Sequence, residues 1–280
     1  MKTKTDNRTS AAAEPNNDTP SPLRRLLFTV SYDGTGFLGW QYQPEGPTVQ
    51  GFLEKGLAEI LQEQVRLTGA SRTDAGVHAL GQVAHFDTGS PLKEAVIQRA
   101  LNAKLPREVR VRELAEAPGD FNARYRASWK IYRYGLADPR LAEAPLLMRY
   151  HWIRTTGLDL EQIKRLAAAI IGEHDFYTFS KQESRRNNHR CRILEADWTS
   201  RDGRLYFEVK GDRFLRAMVR MLVGGMLAVA DGRAGEDEFR QAVAVPGRWR
   251  RAVPAPACGL TLVQVHYPAD VSLQDSVIKL

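Results

Sequence analysis

Between Gly69 and Phe86 the chain reads GASRTDAGVHALGQVAHF. Val65–Thr68 and Gln82–Asp87 have strand character, so this stretch commits the fold to two strands flanking a polar turn, Ser71 to His78. The turn sets Arg72 and Asp74 two residues apart. A carboxylate held beside a guanidinium, between elements that can be rigid, is a candidate catalytic site. An Asp ahead of Ala-Gly is also ordinary turn chemistry, its side chain bonding its own backbone. Local sequence physics leaves both readings open.

The rest of the chain supplies more strands than helices. Leu26–Tyr32 reads as a strand closed by the Asp33-Gly34 turn, and Gly36–Gln43 as a loop with aromatic anchors. Thr48 is placed to cap an amphipathic helix running to Leu61, with Val49, Phe52, Leu53, Leu57 and Ile60 on one side. Ser90-Pro91 has the cap-then-proline order of a second helix, reaching about Leu101. Val109–Ala115 is a further strand. In Ser128–Gly135 aromatic and basic residues alternate, so a strand sets Lys130, Tyr132 and Tyr134 on one face and Ile131 and Arg133 on the other. Ala137–Tyr150 is a proline-rich connection, and Asp159–Ile171 a helix. Arg190–Trp198 and Arg204–Lys210 form a hairpin about Asp202-Gly203. A long helix over Phe214–Ala230, a short one near Glu236–Val243 and a strand over Gly259–Tyr267 complete the chain. This pattern is α+β, with a largely antiparallel sheet. A division near Ala117–Gly119 separates a tail, 1–23, from an N-terminal half, 24–118, that carries the Asp74 turn, and a C-terminal half, 119–280.

Composition narrows the partners. The chain has 280 residues and a net charge of +7, which favours anionic ligands, nucleic acid foremost. Two cysteines, Cys191 and Cys258, make neither a disulfide framework nor a thiolate zinc site, and the six histidines lack ligand spacing, so no metal is expected. The longest apolar run, Ala217–Ala230, is broken by Arg220 and two glycines and is short of the roughly 20 residues that a membrane span needs. Met1–Pro22 is rich in Thr, Ser, Asn, Pro and Ala. It has no apolar core of a signal peptide, and it reads as a disordered tail on a cytoplasmic protein.

The stretch around Asp74 closely resembles the active-site segment of the tRNA pseudouridine synthase A family. Other blocks follow in order. Tyr32-Asp33-Gly34 with Phe37, Gly39-Trp40-Gln41 and Thr48-Val49-Gln50 resembles the family's N-terminal block, and Asn122-Ala123-Arg124 with Tyr132 and Tyr134 its second. Phe214, Met218-Val219-Arg220 and Gly224 resemble its late helix, and Ala255-Pro256 with Gly259-Leu260 its C-terminal block. The matches span Leu26 to Tyr267.

The resemblance implies two similar halves that share one sheet, with helices packed on it and a basic cleft between them. It implies isomerisation of uridine to its C5-glycoside within RNA, at tRNA uridines 38 to 40 of the anticodon arm, by a homodimer that holds one tRNA across both subunits. No redox step, metal or cofactor is required. Asp74 is implied as the nucleophile; attack on C1′, attack on C6 and abstraction of a sugar proton are all open to it. A carboxylate working in a cleft must stay ionised, and a nearby cation offsets the cost of burial. The resemblance nominates Arg192 as that cation, within the basic run Arg185–Arg192, which reads otherwise as a solvated surface or a phosphate track. Arg72 is implied to displace the target base and take its place. Tyr132 is implied to stack on the uracil and take the C5 proton, against the plain reading of a cross-strand aromatic. Leu260 is implied as an apolar wall of the base pocket. Arg216 and Arg220 are candidate phosphate contacts, Arg220 alternatively tying the long helix to the core. Ser71 stands where family members commonly carry glycine, which strains the turn if that position needs a positive φ.

Competing readings are a related synthase with another RNA target, a catalytically silent binding protein of the same fold, and a glycosidase-like hydrolase. The last needs two acids flanking the bond, and no second acid lies near Asp74 in sequence.

Overall fold

A computed structural model describes residues 23–141, 145–154, 157–181, 188–269 and 271. Residues 1–22 of the expected tail and the first three residues of the basic run, 185–187, lie outside these residues. In chain order the elements are β1 (Arg24–Tyr32), α1 (Val49–Leu61), β2 (Thr68–Gly69), β3 (His78–Thr88), α2 (Glu94–Lys104), β4 (Val109–Ala117), β5 (Trp129–Ala137), α3 (Pro145–Tyr150) and β6 (Trp152–Ile153). There follow α4 (Leu160–Ala168), β7 (Gly172–Asp175), β8 (Arg190–Arg201), β9 (Arg204–Gly211), α5 (Met218–Ala230), α6 (Glu236–Ala244) and β10 (Leu260–His266). The strands make one sheet in the order β4-β1-β3-β10-β5-β9-β8-β7, with β2 on β3 and β6 on β5. Pairing is antiparallel except between β3 and β10 and between β5 and β6. The mixed α and β architecture with a mostly antiparallel sheet is the one expected from sequence.

Local chemistry accounts for several elements. The Thr48 hydroxyl accepts from the Gly51 N–H and starts α1. That helix buries Val49, Leu53, Leu57 and Leu61, whereas Phe52, expected on the buried side, is 40% exposed and meets Phe37 edge-on. Asp202 and Gly203 both take positive φ, 50° and 71°, which is the two-residue turn that matches strand twist between β8 and β9. In β1 the run Leu26–Val30 is buried on both faces, the central core of the sheet except for Thr29.

Several boundaries differ from expectation. Ser90 does not cap α2: its hydroxyl accepts from Leu92 N–H in a local turn, and the helix starts at Glu94 behind Lys93, which makes no side-chain cap. Of the expected Val65–Thr68 strand only Thr68 pairs with β3, joined by Gly69. The connection after Ala137 contains a 3₁₀ turn, Pro139–Leu141, and α3. The long helix starts at Met218, not Phe214, because Ala217 turns left-handed at φ 59°. That conformation costs a non-glycine residue about 1 kcal/mol or more, and such strain clusters where a chain must be aimed.

The parallel pair β3–β10 decides where the Asp74 turn lies. Thr261 opposes His78 and Leu262 opposes Ala79, so the turn enters β3 beside the start of β10. On its other edge β10 pairs with β5, Leu260 opposite Tyr134 and Leu262 opposite Tyr132. The sheet thereby brings the turn, Leu260 and Tyr132 to one place. Helix α5 closes on it. Gly224, one turn after Arg220, lies against residue 253, where an added Cβ would be 1.9 Å from the Val253 carbonyl oxygen.

Candidate active site

The turn that carries Asp74 has no strand ladder of its own between Ser71 and Asp74, so its backbone groups are met from outside. Ala70 N–H donates to the Val83 carbonyl at 2.8 Å, and Trp40 N–H to the Thr73 carbonyl at 3.1 Å. The Thr73 hydroxyl shares a 2.8 Å hydrogen bond with the Tyr32 hydroxyl. Asp74's own carbonyl accepts from Val77 N–H at 3.2 Å. Gly39 lies under this turn at φ 99°, where a Cβ would sit 2.6 Å from the Thr73 carbonyl oxygen. Gly39→Ala is therefore expected to destabilise the chain by at least about 1–2 kcal/mol from the backbone alone. It should also lower turnover, because the clash falls on the peptide next to Asp74. Denaturant melts and single-turnover rates of the purified variant check both. Wild-type stability would show that the loop can yield.

Asp74 faces two arginines from the approach to α5 and its first turn. Arg220 Nη1 lies 2.9 Å from Oδ2, and Arg216 Nε lies 3.9 Å from Oδ1. The two are not alike. Arg220 is 17% exposed, and its Nε also donates to the Ala255 carbonyl at 2.7 Å, while Ala255 N–H returns to the Arg220 carbonyl at 3.0 Å. Both edges of its guanidinium are thus engaged, which fixes the fork's orientation. Arg216 is about half exposed and reaches Asp74 only at long range.

The nomination of Arg192 as the ion partner is corrected by this geometry. Arg192 stands on β8 between buried Cys191 and Ile193, so strand alternation turns it to solvent. Its backbone N–H bonds Asp212 at 2.9 Å. Arg220 stands on Asp74 instead. A signal was present: a lone arginine in the apolar run Ala217–Ala230 needs a counter-charge once buried. The partner is 146 residues away, which local pattern does not show.

Tyr132 is buried on β5, with its ring edge-on to Phe214 at a centroid distance of 5.0 Å. Phe214 belongs to the non-helical approach that ends at Ala217. Burial, with the negative charge of Asp74 adding to it, pushes the Tyr132 phenol up to about 12, and a hydrogen bond from the Ser71 side chain acts the other way. The hydroxyl therefore keeps its proton at neutral pH. Leu260, buried at the start of β10, lines the same junction, and Tyr134 below it donates to the Pro256 carbonyl at 2.8 Å. Arg72 is exposed on the turn. Ser71 brings no strain. Among the described residues the non-glycine positions at positive φ are Gln62, Glu113, Asp202 and Ala217. Those residues also hold no cluster of three metal-ligating side chains, and no helix long and apolar enough to cross a membrane.

Residues 29–126 and 166–268 match a family model described as tRNA pseudouridine synthase. The first stretch holds Arg72 and Asp74, and the second holds Arg192, Arg216, Arg220 and Leu260, while Tyr132 lies between them. A Chlorobium phaeovibrioides protein named tRNA pseudouridine synthase A is 40% identical over 247 residues, covering 88% of this chain and 100% of that protein. Proteins of the same name from Acetivibrio thermocellus and Bacteroides fragilis are 38% and 35% identical, covering 88% and 89% of this chain and 100% and 98% of their own lengths. A solved structure of a Cbf5-Nop10-Gar1 complex is similar at a TM-score of 0.36 and 13% identity, over 72% of this chain and 44% of that chain.

Proposed function

Because the chain belongs to the tRNA pseudouridine synthase family, we propose that it isomerises uridine to pseudouridine in tRNA, with Asp74 as the nucleophile. The observation that carries this reading is the Asp74–Arg220 ion pair at 2.9 Å, set at the β3–β10 junction against Tyr132 and Leu260.

The reaction balances without an outside reagent. The N1–C1′ bond breaks, the uracil turns, a C5–C1′ bond forms, C5 loses a proton and N1 gains one. Asp74 supplies the carboxylate that attacks the bound nucleotide and is released again, its transient bond broken, before the C5-glycoside leaves, and Arg220 holds that carboxylate in place and compensates its charge when water is excluded. Tyr132 and Leu260 form the walls between which the uracil turns. Arg72, exposed on the same turn, takes the place of the extruded base, and so offsets the few kcal/mol lost on unstacking. Arg216, half exposed beside the carboxylate, extends the basic track toward the RNA backbone.

The finer reading places the substrate uridines at 38 to 40 of the anticodon arm, in the cytoplasm, with a homodimer holding one tRNA in a basic cleft between the two halves of each chain. Pseudouridine mapping of an unmodified tRNA after incubation with the purified chain tests the position. Conversion at 38 to 40 that persists in EDTA, with no added nucleotide, is expected. Conversion confined to other uridines would overturn the positional assignment. A loss on chelation that one divalent ion restores, with tRNA folding controlled, would overturn the metal-free chemistry.

A further inference from the structure

Strand β5 buries a lysine to which the proposed chemistry gives no task. Lys130 lies two residues before Tyr132 on the same strand face and is 7% exposed. A buried ammonium is retained only where its donors are met. Lys130 Nζ donates to the Ala70 carbonyl at 2.7 Å. Ala70 is the last residue before the turn that carries Arg72 and Asp74.

The next residue is held from β3. Gln82, fully buried, donates Nε2 to the Ser71 carbonyl at 2.6 Å and accepts the Ser71 N–H at 3.1 Å. Two strands thus grip the Ala70–Ser71 segment through side chains, at the point where the turn leaves the ladder.

We propose that Lys130 and Gln82 are positioning residues, which fix the Ala70–Ser71 segment and thereby set Arg72 and Asp74 against Tyr132. The kinetic part of this inference rests on the proposed function; the geometric part does not.

The lysine makes the grip sensitive to pH. Burial, followed by the nearby charges of Arg124 and Arg213, pulls its ammonium down to about 8, and Asp212 acts the other way. Arg124, Arg213 and Asp212 are the charged groups that act on it, and Tyr132 lies two residues along the same strand face. As pH rises through about 8 the donor loses its charge, and a charge-assisted hydrogen bond becomes an ordinary one. The effect on folding has the opposite sign. The native group releases its proton more readily than in the unfolded chain, so this group alone makes the fold more stable as pH rises from about 8 toward 10.5. A fall in turnover over that range is then not a loss of fold caused by the same lysine.

Lys130→Met keeps most of the stem and removes the donor. It should lower kcat about 100-fold, leave the Kd for tRNA unchanged and erase the alkaline fall near pH 8. Lys130→Arg keeps the charge, and should recover much of kcat and move that fall upward. Amide hydrogen exchange from Ser71 to Asp74 should quicken in Lys130→Met and in Gln82→Met, with β1 amides unaffected. Wild-type kcat and pH profile in folded Lys130→Met would overturn the proposal, as would a loss expressed wholly in Kd. If Lys130→Met does not fold, Gln82→Met and Lys130→Arg carry the same readouts. Should the wild-type chain prove inactive on tRNA, the functional reading falls. Unchanged exchange at Ser71–Asp74 in the variants would then still sink the positioning role, and faster exchange would uphold it.

Discussion

Asp74→Asn is expected to abolish conversion of tRNA uridine while the variant folds and binds tRNA as the wild type does. The amide keeps the shape of the carboxylate and still accepts from Arg220 through its oxygen. It does not carry the charge that makes the oxygen a nucleophile. Removing a nucleophile should lower kcat by at least about 10⁴-fold. The cost to stability is small by comparison. Asp74 is 26% exposed, so its share in the fold is that of a half-solvated ion pair, on the order of 1 kcal/mol. Single-turnover rates, tRNA binding and thermal melts separate the two effects. Turnover close to wild type in the purified variant would remove Asp74 from the chemistry. Joint loss of binding and folding would recast it as a structural turn residue, the plain reading of Asp-Ala-Gly.

Arg220→Ala is expected to damage both activity and stability. It removes the close cation on Asp74 and the donor to the Ala255 carbonyl, so it frees the segment packed on α5 as well as the carboxylate. Loss of the half-solvated ion pair costs on the order of 1 kcal/mol, and loss of the bond to the Ala255 carbonyl, which leaves that acceptor unmet, adds about 1–3 kcal/mol. Turnover should fall steeply, because Asp74 loses its orientation. The salt dependence of tRNA binding should keep its slope, since a guanidinium occupied by a carboxylate and a carbonyl neutralises no phosphate. Arg220→Lys should be intermediate: the ammonium keeps the charge but lacks a planar fork to reach both oxygens. Unchanged melting with a flattened salt slope in Arg220→Ala would assign the residue to the RNA track and contradict the ion-pair role. The same substitution at Arg216, half exposed and only at long range from the Asp74 carboxylate at 3.9 Å, should flatten the slope.

What was legible in the sequence was local. Thr48 announces its helix because a cap needs only a hydroxyl and the N–H three residues on. Asp202-Gly203 announces its hairpin because the turn type demands positive φ at both positions. The polar turn at Asp74, bounded by strand-like segments, was visible for the same reason. The rest depends on contacts between distant segments. Nothing in residues 214–217 shows that Ala217 turns left-handed; that conformation ends the approach which sets Phe214 on Tyr132. Ser90 has a good capping side chain, yet spends it on Leu92 N–H, two residues away. The choice of Arg220 over Arg192 follows from strand alternation in β8 and from the parallel join of β3 to β10, neither of which a spacing encodes. Lys130 was visible as a basic residue on the Tyr132 face, but its bond to Ala70 spans 60 residues.

The most direct measurement uses an unmodified tRNA carrying tritium at C5 of its uridines, with the purified wild-type chain. Tritium released to water, pseudouridine formed and free uracil are counted in one reaction. Isomerisation requires one tritium released for each pseudouridine formed, with no free uracil and an uncut, full-length tRNA. Free uracil in place of pseudouridine would make the Asp74 site a glycosidase-like hydrolase. Stable tRNA binding with no tritium released would leave it a binding protein and contradict the account.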